Sequence, residues 1–150
     1  MKILITGAGG FIGKSLSKFL SDPNSENEIY KLVSKNNEEA YESIKNYECE
    51  EIKVDLLVNN FITKLPKNID TIIHLAGNSK TFLNPKKSRQ QFSDNINITS
   101  NILDYAEKAH STKLIFSSSV YIYSGGNKTP FLENSTVMPS ESLDASKLAL

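Results

Sequence analysis

The sequence predicts an α/β protein with a doubly wound parallel sheet, and two observations support this fold class. Short apolar strand patterns alternate with helical patterns along the chain, which is typical of a parallel sheet with helices on both faces. A glycine-rich turn, T-G-A-G-G-F-I-G, also lies between the first strand pattern and the first helix pattern at residues 6–13. We therefore predict a Rossmann-like arrangement with five strands.

The chain opens with a strand, a helix and a second strand. Residues 2–6, K-I-L-I-T, are a short apolar run that predicts a buried strand. The apolar residues that recur next at helical spacing, and so predict a helix, are Ile12, Leu16, Phe19 and Leu20. Asp22-Pro23-Asn24 ends this helix, since these residue types favour turns. Residues 28–33, E-I-Y-K-L-V, predict the second strand.

The middle of the chain continues the alternation. Residues 37–47 are polar and predict a short exposed helix, and residues 49–54 predict a third strand that ends at Asp55. Residues 70–75, D-T-I-I-H-L, predict a fourth strand. Pro85 then opens a long helix, and its predicted apolar stripe consists of Phe92, Ile96, Thr99, Leu103 and Ala106.

The last part of the chain predicts a strand and an incomplete helix. Residues 113–117, K-L-I-F-S, predict the fifth strand. Pro139 precedes a helix with Ser140 as its N-cap and Glu141 in its first turn. The sequence stops inside that helix, and a doubly wound dinucleotide fold normally has a sixth strand. We expect residues 1–150 to be one truncated Rossmann-like domain; the alternative is a small complete domain.

The composition argues against several functional classes. Basic and acidic residues number 17 each, so no net field favours nucleic acid or an anionic membrane. No apolar run approaches the roughly 20 residues that span a bilayer. Cys49 is the single cysteine, and His74 and His110 have no cysteine or carboxylate cluster that would complete a metal site. The sequence predicts a cytoplasmic protein with no metal, no nucleic-acid partner and no membrane contact.

The glycine turn predicts a dinucleotide site. Its spacing is Gly7-x-x-Gly10-x-x-Gly13, because the more common G-x-G-x-x-G would need a glycine where Ile12 stands. A turn between a strand and a helix points backbone N–H groups and the positive helix end at one place, where a pyrophosphate fits. A glycine-rich surface loop is the alternative, but the flanking strand and helix favour the dinucleotide.

Five sequence blocks resemble those of one protein family in order and spacing. They read T-G-A-G-G-F-I-G, D-L, H-L-A-G, N-I-N-I-T-S-N-I-L and F-S-S-S-V-Y-I-Y, and they begin at Thr6, Asp55, His74, Asn95 and Phe116. They are similar to the T-G-x-x-G-x-x-G, D-L, H-L-A-A/G, N-V-x-G-T-x-N-L-L and F-S-S-S-x-x-V-Y motifs of the extended short-chain dehydrogenase/reductases. This family comprises NAD(P)-dependent epimerases and dehydratases that act mostly on nucleotide sugars. The resemblance covers the whole chain and implies that residues 1–150 are the NAD(P)-binding Rossmann domain, roughly the first half of a typical member, without the substrate-binding region.

The resemblance implies a set of cofactor-binding residues. Backbone groups at Gly10, Phe11 and Ile12 would hold the pyrophosphate, and Asp55 would accept a hydrogen bond from the adenine amino group. The alternative for Asp55 is a strand-end turn former. Ala76 and Gly77 would be small because backbone and cofactor approach each other closely there. The complete implied set is Gly7, Gly10, Phe11, Ile12, Gly13, Lys35, Asp55, Leu56, Ala76, Gly77 and Lys147.

The end of the second strand bears on the choice between NAD and NADP. An NAD-preferring pattern places Asp or Glu there to bind the ribose 2′-hydroxyl. This chain has Ser34-Lys35-Asn36, with no carboxylate to repel a 2′-phosphate and a lysine to pair with it. NADP is therefore favoured over NAD, and the alternative is a solvent-facing Lys35 with poor discrimination.

Three residues receive catalytic roles from the resemblance. Ser119 would hydrogen-bond the substrate hydroxyl or carbonyl, and Lys147 would bind the nicotinamide ribose hydroxyls and place a positive charge beside the proton carrier. Asn95 would hold its helix and a water-linked proton path. The alternatives are a polar turn for Ser119, a solvated lysine for Lys147 and a helix-surface amide for Asn95.

The sequence departs from the family at the proton carrier. The family's lysine belongs to Y-x-x-x-K, but here Leu143 stands four residues before Lys147. Leucine has no titratable proton, and losing a positioned acid/base costs a factor of about 10²–10⁴ in rate. Tyr121 and Tyr123 are not expected to replace it, because they lie far from Lys147 in sequence. Asp144, the nearest acid, is expected to point away from the face of residues 143 and 147.

Two functional hypotheses follow from these residues. The first is an NAD(P)-dependent epimerase, dehydratase or reductase of a nucleotide sugar, with a homodimer formed through the long helices. The second is a catalytically inactive NAD(P)-binding sensor or scaffold protein, for which Leu143 is the main argument.

Overall fold

The described part of the chain contains one five-stranded sheet, in which the parallel strands follow the order β3-β2-β1-β4-β5. The strands are β1 Lys2–Thr6, β2 Glu28–Ser34, β3 Glu50–Val54, β4 Thr71–His74 and β5 Lys113–Phe116. Their bounds agree with the predicted ones to within one residue at each end. The prediction of a Rossmann-like parallel sheet is confirmed.

The computed structural model describes residues 1–22, 24–44, 49–79, 84–123, 126 and 128–150. The helices are α1 Phe11–Leu20, α2 Glu38–Glu42, α3 Pro85–Lys108 and α4 Ser142–Leu148, and 3₁₀ helices lie at Asn59–Lys64 and Val120–Tyr123. Asn37 caps α2 by accepting a hydrogen bond from the N–H of Ala40 at 2.9 Å. This helix is shorter than predicted, and residues 23 and 45–48 of the predicted elements lie outside the described residues.

The described residues group into two compact units. Unit 1 comprises Met1–Ala76 and Ser100–Phe116, and unit 2 comprises Gly77–Thr99 and Ser117–Leu150. Unit 1 holds the whole sheet together with α1, α2 and the C-terminal part of α3. Unit 2 holds the N-terminal part of α3, the 3₁₀ helix Val120–Tyr123 and α4.

The core of unit 1 lies on both faces of the sheet, because successive strand residues point to opposite sides. The residues buried on one face include Leu4, Leu32, Val54, Ile72, Ile102 and Tyr105. Those buried on the other include Ile3, Ile5, Ala8, Ile29, Val33 and Ile44. This burial on both faces explains why the strands read as nearly continuous apolar runs.

One charged side chain lies inside this core. Lys31 in the middle of β2 is fully buried. Its ammonium donates to the carbonyl oxygen of Ile44 at 2.7 Å and to the carboxylate of Glu51 in β3 at 2.9 Å. A buried charge is tolerated when it is paired and hydrogen-bonded in this way.

The structure corrects the predicted apolar faces of two helices. On α3, Leu103 is 49% exposed. Thr99 of the predicted stripe is buried and Ala106 packs against the core, but the other buried residues are Gln91, Asn95, Ile102 and Tyr105. On α1, Leu16 and Leu20 pack against the core, but Ile12 and Phe19 are exposed. Hydrophobicity alone therefore misplaced the buried face of α3, since its N-terminal half buries polar side chains.

The start of the last helix also differs from the prediction. α4 begins at Ser142, and Glu141 rather than Ser140 is its N-cap, with no side-chain capping hydrogen bond. Glu141 has extended backbone dihedrals. The preceding segment is held to the 3₁₀ helix in the same unit, because the N–H of Met138 donates to the carbonyl oxygen of Ile122 at 2.8 Å. The helix therefore starts one residue later than a cap at Ser140 would require.

Candidate functional site

Two glycines of the turn in unit 1 are required by close contacts within the chain. A β-carbon on Gly13 would lie 2.8 Å from the Cα of Ala8 and would overlap the carbonyl oxygen of Gly7. Gly7 has a φ of +68°, a conformation that favours glycine, and a β-carbon there would lie 2.8 Å from the N of Ala76. Because both residues are glycines, the N-terminus of α1 can lie close to the end of β1.

The turn presents backbone donors at the start of α1. The first helical hydrogen bond runs from the N–H of Lys14 to the carbonyl oxygen of Gly10 at 2.9 Å, so the N–H groups of Phe11 and Ile12 have no acceptor within the helix. The N–H of Gly10 donates to the carbonyl oxygen of Gly7 at 2.9 Å. Of the three predicted pyrophosphate-binding positions, Gly10 thus uses its donor inside the turn. Phe11 is 93% exposed, so this helix end is open to solvent.

Other residues around the turn have roles that the sequence did not reveal. The buried hydroxyl of Thr6 accepts a hydrogen bond from the N–H of Ala76 at 3.1 Å and lies 2.6 Å from the Nδ1 of His74. Because His74 is fully buried against Thr6, its role is to fix the ends of β1 and β4. Gly9 is small because a β-carbon would lie 2.6 Å from the β-carbon of Ala40 in α2. The T-G and H-L-A signals pointed to these positions but not to these contacts.

The predicted adenosine-binding residues meet where β2 and β3 end. The ammonium of Lys35 lies 3.3 Å from Oδ2 of Asp55. The other oxygen of Asp55, Oδ1, accepts a hydrogen bond from the N–H of Leu57 at 3.1 Å, which is the turn-forming role foreseen as the alternative. Leu56 packs against the core, and its carbonyl oxygen accepts a hydrogen bond from the side chain of Asn101 at 2.7 Å.

Unit 2 contains a buried network of amides around Asn95. The Oδ1 of Asn95 accepts a hydrogen bond from the N–H of Asn78 at 2.8 Å, and its Nδ2 donates to the hydroxyl of Ser146 at 3.0 Å. The hydroxyl of Ser146 donates to the carbonyl oxygen of Leu143 at 2.6 Å. Gln91 donates to the carbonyl oxygen of Asn78 at 2.9 Å. Asn95 is 3% exposed, so it is not a helix-surface amide.

Lys147 extends from α4 beside this network. Its ammonium donates to the carbonyl oxygen of Ser117 at 3.0 Å, and partial burial lowers the pKa of Lys147 below 10.5. A β-carbon on Gly77 would lie 3.3 Å from Oδ1 of Asn95 and 3.8 Å from the ammonium of Lys147. The glycine therefore leaves room for these two polar groups, and Lys147 is not a fully solvated surface lysine.

Ser119 lines a cavity of about 380 Å³ in unit 2. The walls are formed by Ser118, Ser119, Val120, Ile122, Tyr123, Phe131, Leu132 and Glu133. The hydroxyl of Ser119 accepts a hydrogen bond from the N–H of Tyr121 at 3.2 Å. The cavity thus joins a hydroxyl, a phenol and a carboxylate with apolar walls, a combination suited to a polar organic ligand.

The structure alters the argument about Tyr121 and Tyr123. The 3₁₀ helix that carries both residues packs against α4, so their distance in sequence from Lys147 does not separate them in space. Leu143 is half-buried, whereas Asp144 on the same helix is 5% exposed. The site prediction missed this packing because sequence separation does not report which loop a helix contacts.

Two features are absent from the described residues. No group of three or more His, Cys, Asp or Glu side chains among them is arranged to hold a metal ion. None of their helices combines the length and the apolar character needed to cross a membrane.

Comparison with known proteins supports one family. The family model for the NAD dependent epimerase/dehydratase family matches residues 3–150. An uncharacterized protein of Methanocaldococcus jannaschii is 33% identical, with 96% of this chain and 47% of that protein covered. UDP-glucose 4-epimerase of Halalkalibacterium halodurans is 27% identical, with 100% and 44% covered.

The fold also matches solved structures. The UDP-glucuronic acid 4-epimerase of Bacillus cereus in complex with NAD has a TM-score of 0.81 and 26% sequence identity, over 99% of this chain and 49% of that one. The chain therefore spans about half the length of the relatives that it matches.

Proposed function

The chain belongs to the NAD dependent epimerase/dehydratase family, and we propose that it is the cofactor-binding half of an enzyme that converts a nucleotide sugar. The observation that carries the proposal is the glycine turn of unit 1, where a β-carbon on Gly13 would overlap the chain's own backbone. The UDP-sugar 4-epimerases among its relatives support this substrate class. In this proposal residues 1–150 form the NAD(P)-binding domain, and the substrate-binding region is a further part of the enzyme.

Four residues of unit 1 would hold the adenosine and pyrophosphate parts of the cofactor. The N–H groups of Phe11 and Ile12 would bind the pyrophosphate, because they lie at the positive end of α1. Asp55 would accept a hydrogen bond from the adenine amino group, and Lys35 would attract a 2′-phosphate, which favours NADP over NAD. The bound nicotinamide would supply hydride transfer to or from a sugar carbon.

Three residues of unit 2 would act near the nicotinamide and the substrate. The hydroxyl of Ser119, which lines the cavity, would hydrogen-bond the sugar hydroxyl or carbonyl. Lys147 would bind ribose hydroxyls and hold a positive charge, and its lowered pKa is consistent with a partly dehydrated ammonium. Asn95 would position α4 through Ser146, and so act as a positioning residue.

Leu143 cannot serve as the proton carrier of this mechanism. The family resemblance places a tyrosine at this position, and leucine has no proton to give. If the Leu143 form turns over substrate, Tyr123 is the first candidate for the phenol, since it lines the same cavity as Ser119 and lies on a helix packed against α4. Asp144 and a water held by Ser119 are the other candidates.

Leu143 also favours a second function. A chain that binds NAD(P) but has no proton carrier would act as a sensor or scaffold rather than as an enzyme. In either case the reducing cytoplasm is the proposed compartment, supported by the single free cysteine, Cys49. A homodimer through α3 stays a prediction.

Binding of reduced cofactor tests the proposal directly. Nicotinamide fluorescence titration should show NADH and NADPH binding to the wild type. We expect Gly10→Glu to weaken binding by about a hundredfold or more, because its carboxylate would repel the pyrophosphate at the helix end. Ser15→Glu is the matched control, since it adds the same charge at an exposed position one turn later on α1. Equal binding by the wild type and Gly10→Glu would refute the assignment of the turn.

A further inference from the structure

We propose that the ion pair between Lys35 and Asp55 sets the choice between NADP and NAD by exchanging one partner. The inference rests on the cofactor-binding function proposed above. It goes beyond that function because it makes the two residues a coupled unit, whereas the sequence assigned them independent contacts. Lys35 would leave Asp55 for the 2′-phosphate of NADP and would stay on Asp55 when NAD is bound.

The backbone brings the two side chains together. The N–H of Lys35 donates to the carbonyl oxygen of Val54 at 3.0 Å, which continues the pairing of β2 with β3 by one residue. Asp55 follows β3 directly. Both side chains therefore leave the sheet at the carboxyl ends of neighbouring parallel strands, where open α/β sheets bind ligands.

Both oxygens of Asp55 are already engaged within the chain. Oδ2 lies 3.3 Å from the ammonium of Lys35, and Oδ1 accepts a hydrogen bond from the N–H of Leu57. The bond to Leu57 holds the carboxylate in place when the lysine leaves. An ionised carboxylate oxygen accepts more than one hydrogen bond, so the adenine amino group does not have to displace Leu57.

The ion pair is accessible enough to be exchanged. The side chain of Lys35 is 53% exposed and that of Asp55 is 26% exposed. Exposed ion pairs are weak, and a phosphate that carries more than one negative charge competes well with a single carboxylate. The lysine stem is flexible, so the ammonium moves without rearrangement of the sheet.

Asp55 therefore opposes NADP binding through Lys35. When NADP binds, the lost attraction between Lys35 and Asp55 reduces the gain from the new contact with phosphate. When NAD binds, the pair is retained. The ratio of NADP affinity to NAD affinity is therefore smaller than an unpaired lysine at this position would give. Removing the carboxylate of Asp55 should increase this ratio.

The test is a double-mutant cycle on the ratio of NADPH to NADH affinity. Dissociation constants are measured by nicotinamide fluorescence for the wild type, Lys35→Met, Asp55→Asn and the double variant. We expect Asp55→Asn to raise the preference for NADPH about two- to fivefold, the range that corresponds to the strength of an exposed pair. The lost contact with adenine weakens both cofactors alike and cancels in the ratio.

The Lys35→Met background separates exchange from simple repulsion. If the pair is exchanged, Asp55→Asn should change the ratio clearly less in that background than in the wild type. Lys53→Met is the matched control, because Lys53 in β3 pairs with Glu38 at 2.8 Å and should leave the ratio unchanged. Circular dichroism would verify that each variant is folded.

The outcomes distinguish the inference from the function on which it rests. An equal effect of Asp55→Asn in both backgrounds would show direct repulsion of the phosphate and would overturn the exchange. An unchanged ratio in Asp55→Asn would overturn it as well. A wild-type chain that binds neither cofactor would instead refute the proposed function, whereas binding without coupling refutes only the exchange.

Discussion

The glycine turn of unit 1 and the amide network of unit 2 are built by different means. In the turn, backbone atoms pack against Gly7 and Gly13, and the N–H groups at the start of α1 are the proposed binding groups. In the network, Gln91 donates to the carbonyl oxygen of Asn78, and Asn95 donates to Ser146, which in turn donates to the carbonyl oxygen of Leu143 in α4. The turn depends on the absence of side chains, and the network depends on specific ones.

This difference indicates where a substitution can change function with the smallest loss of stability. A substitution in the turn disturbs backbone packing, so binding and folding are affected together. On α4 the side chain of Leu143 is only half-buried, so we expect a substitution there to leave the helix and the position of Lys147 unchanged. The chemistry of such a site is more easily changed than its cofactor binding.

The largest expected effect is on the catalytic rate. Its absence would contradict the view that the chemistry at residue 143 can change independently of cofactor binding. We expect a chimera of this chain with the C-terminal half of a UDP-glucose 4-epimerase to show no measurable turnover of UDP-, dTDP- or GDP-sugars. Leu143→Tyr should raise the rate by about 10²-fold or more, because a phenol near Lys147 can act as the acid/base.

Steady-state kinetics of both chimeras would measure this, with Leu143→Phe as the matched control that lacks the hydroxyl. Robust turnover by the Leu143 form would contradict the prediction, and loss of that turnover in Tyr123→Phe would then identify the proton carrier.

The next effect is on stability and sharpens the account of the turn. Gly13→Ala should lower the free energy of unfolding by about 2–3 kcal/mol, because its β-carbon would overlap the backbone of Gly7 and Ala8. Gly10→Ala should lower the free energy of unfolding by less than about 1 kcal/mol. Among the described residues, the one close contact of its β-carbon would be the carbonyl oxygen of Gly7, at 3.2 Å. Urea unfolding measures both, and equal losses would contradict the packing argument.

The smallest effect is the pH dependence of stability in unit 2. Burial lowers the pKa of Lys147 in the folded chain below 10.5, so the unfolded chain binds more protons at this residue as the pH nears that value. The stability of the wild type relative to Lys147→Met should therefore rise between about pH 8 and about pH 10, by less than about 1 kcal/mol after solvent screening. Urea unfolding at both pH values measures it, and a fall with pH would contradict the stated burial.

The sequence predicted the central strands β1 and β2 well because they are buried on both faces of the sheet. Runs such as K-I-L-I-T have no other arrangement that removes them from water, so strand bounds followed from composition. The long helix was less predictable. Its buried face carries Gln91 and Asn95, and their burial depends on partners such as Asn78, which hydrophobic periodicity cannot show.

For the candidate site, the sequence indicated individual residues but not the contacts between them. Lys35 and Asp55 were singled out separately, but their ion pair depends on the order of the strands in the sheet. Likewise, the packing of Tyr123's helix against α4 depends on how the loop after β5 folds. Motifs report which residues a fold needs, whereas coupling between them is a property of the three-dimensional arrangement.

The buried Lys31 has a consequence for how β3 finds its place at the edge of the sheet. In the observed register Lys31 faces Glu51. A slip of β3 by one residue would turn its apolar face outward. A slip by two would keep that face inward but would bring either Lys53 or Cys49 opposite the buried ammonium. The pair of Lys31 with Glu51 therefore disfavours the two-residue slips that burial of apolar residues alone would allow. An engineered replacement of this edge strand has to carry a carboxylate at the position of Glu51.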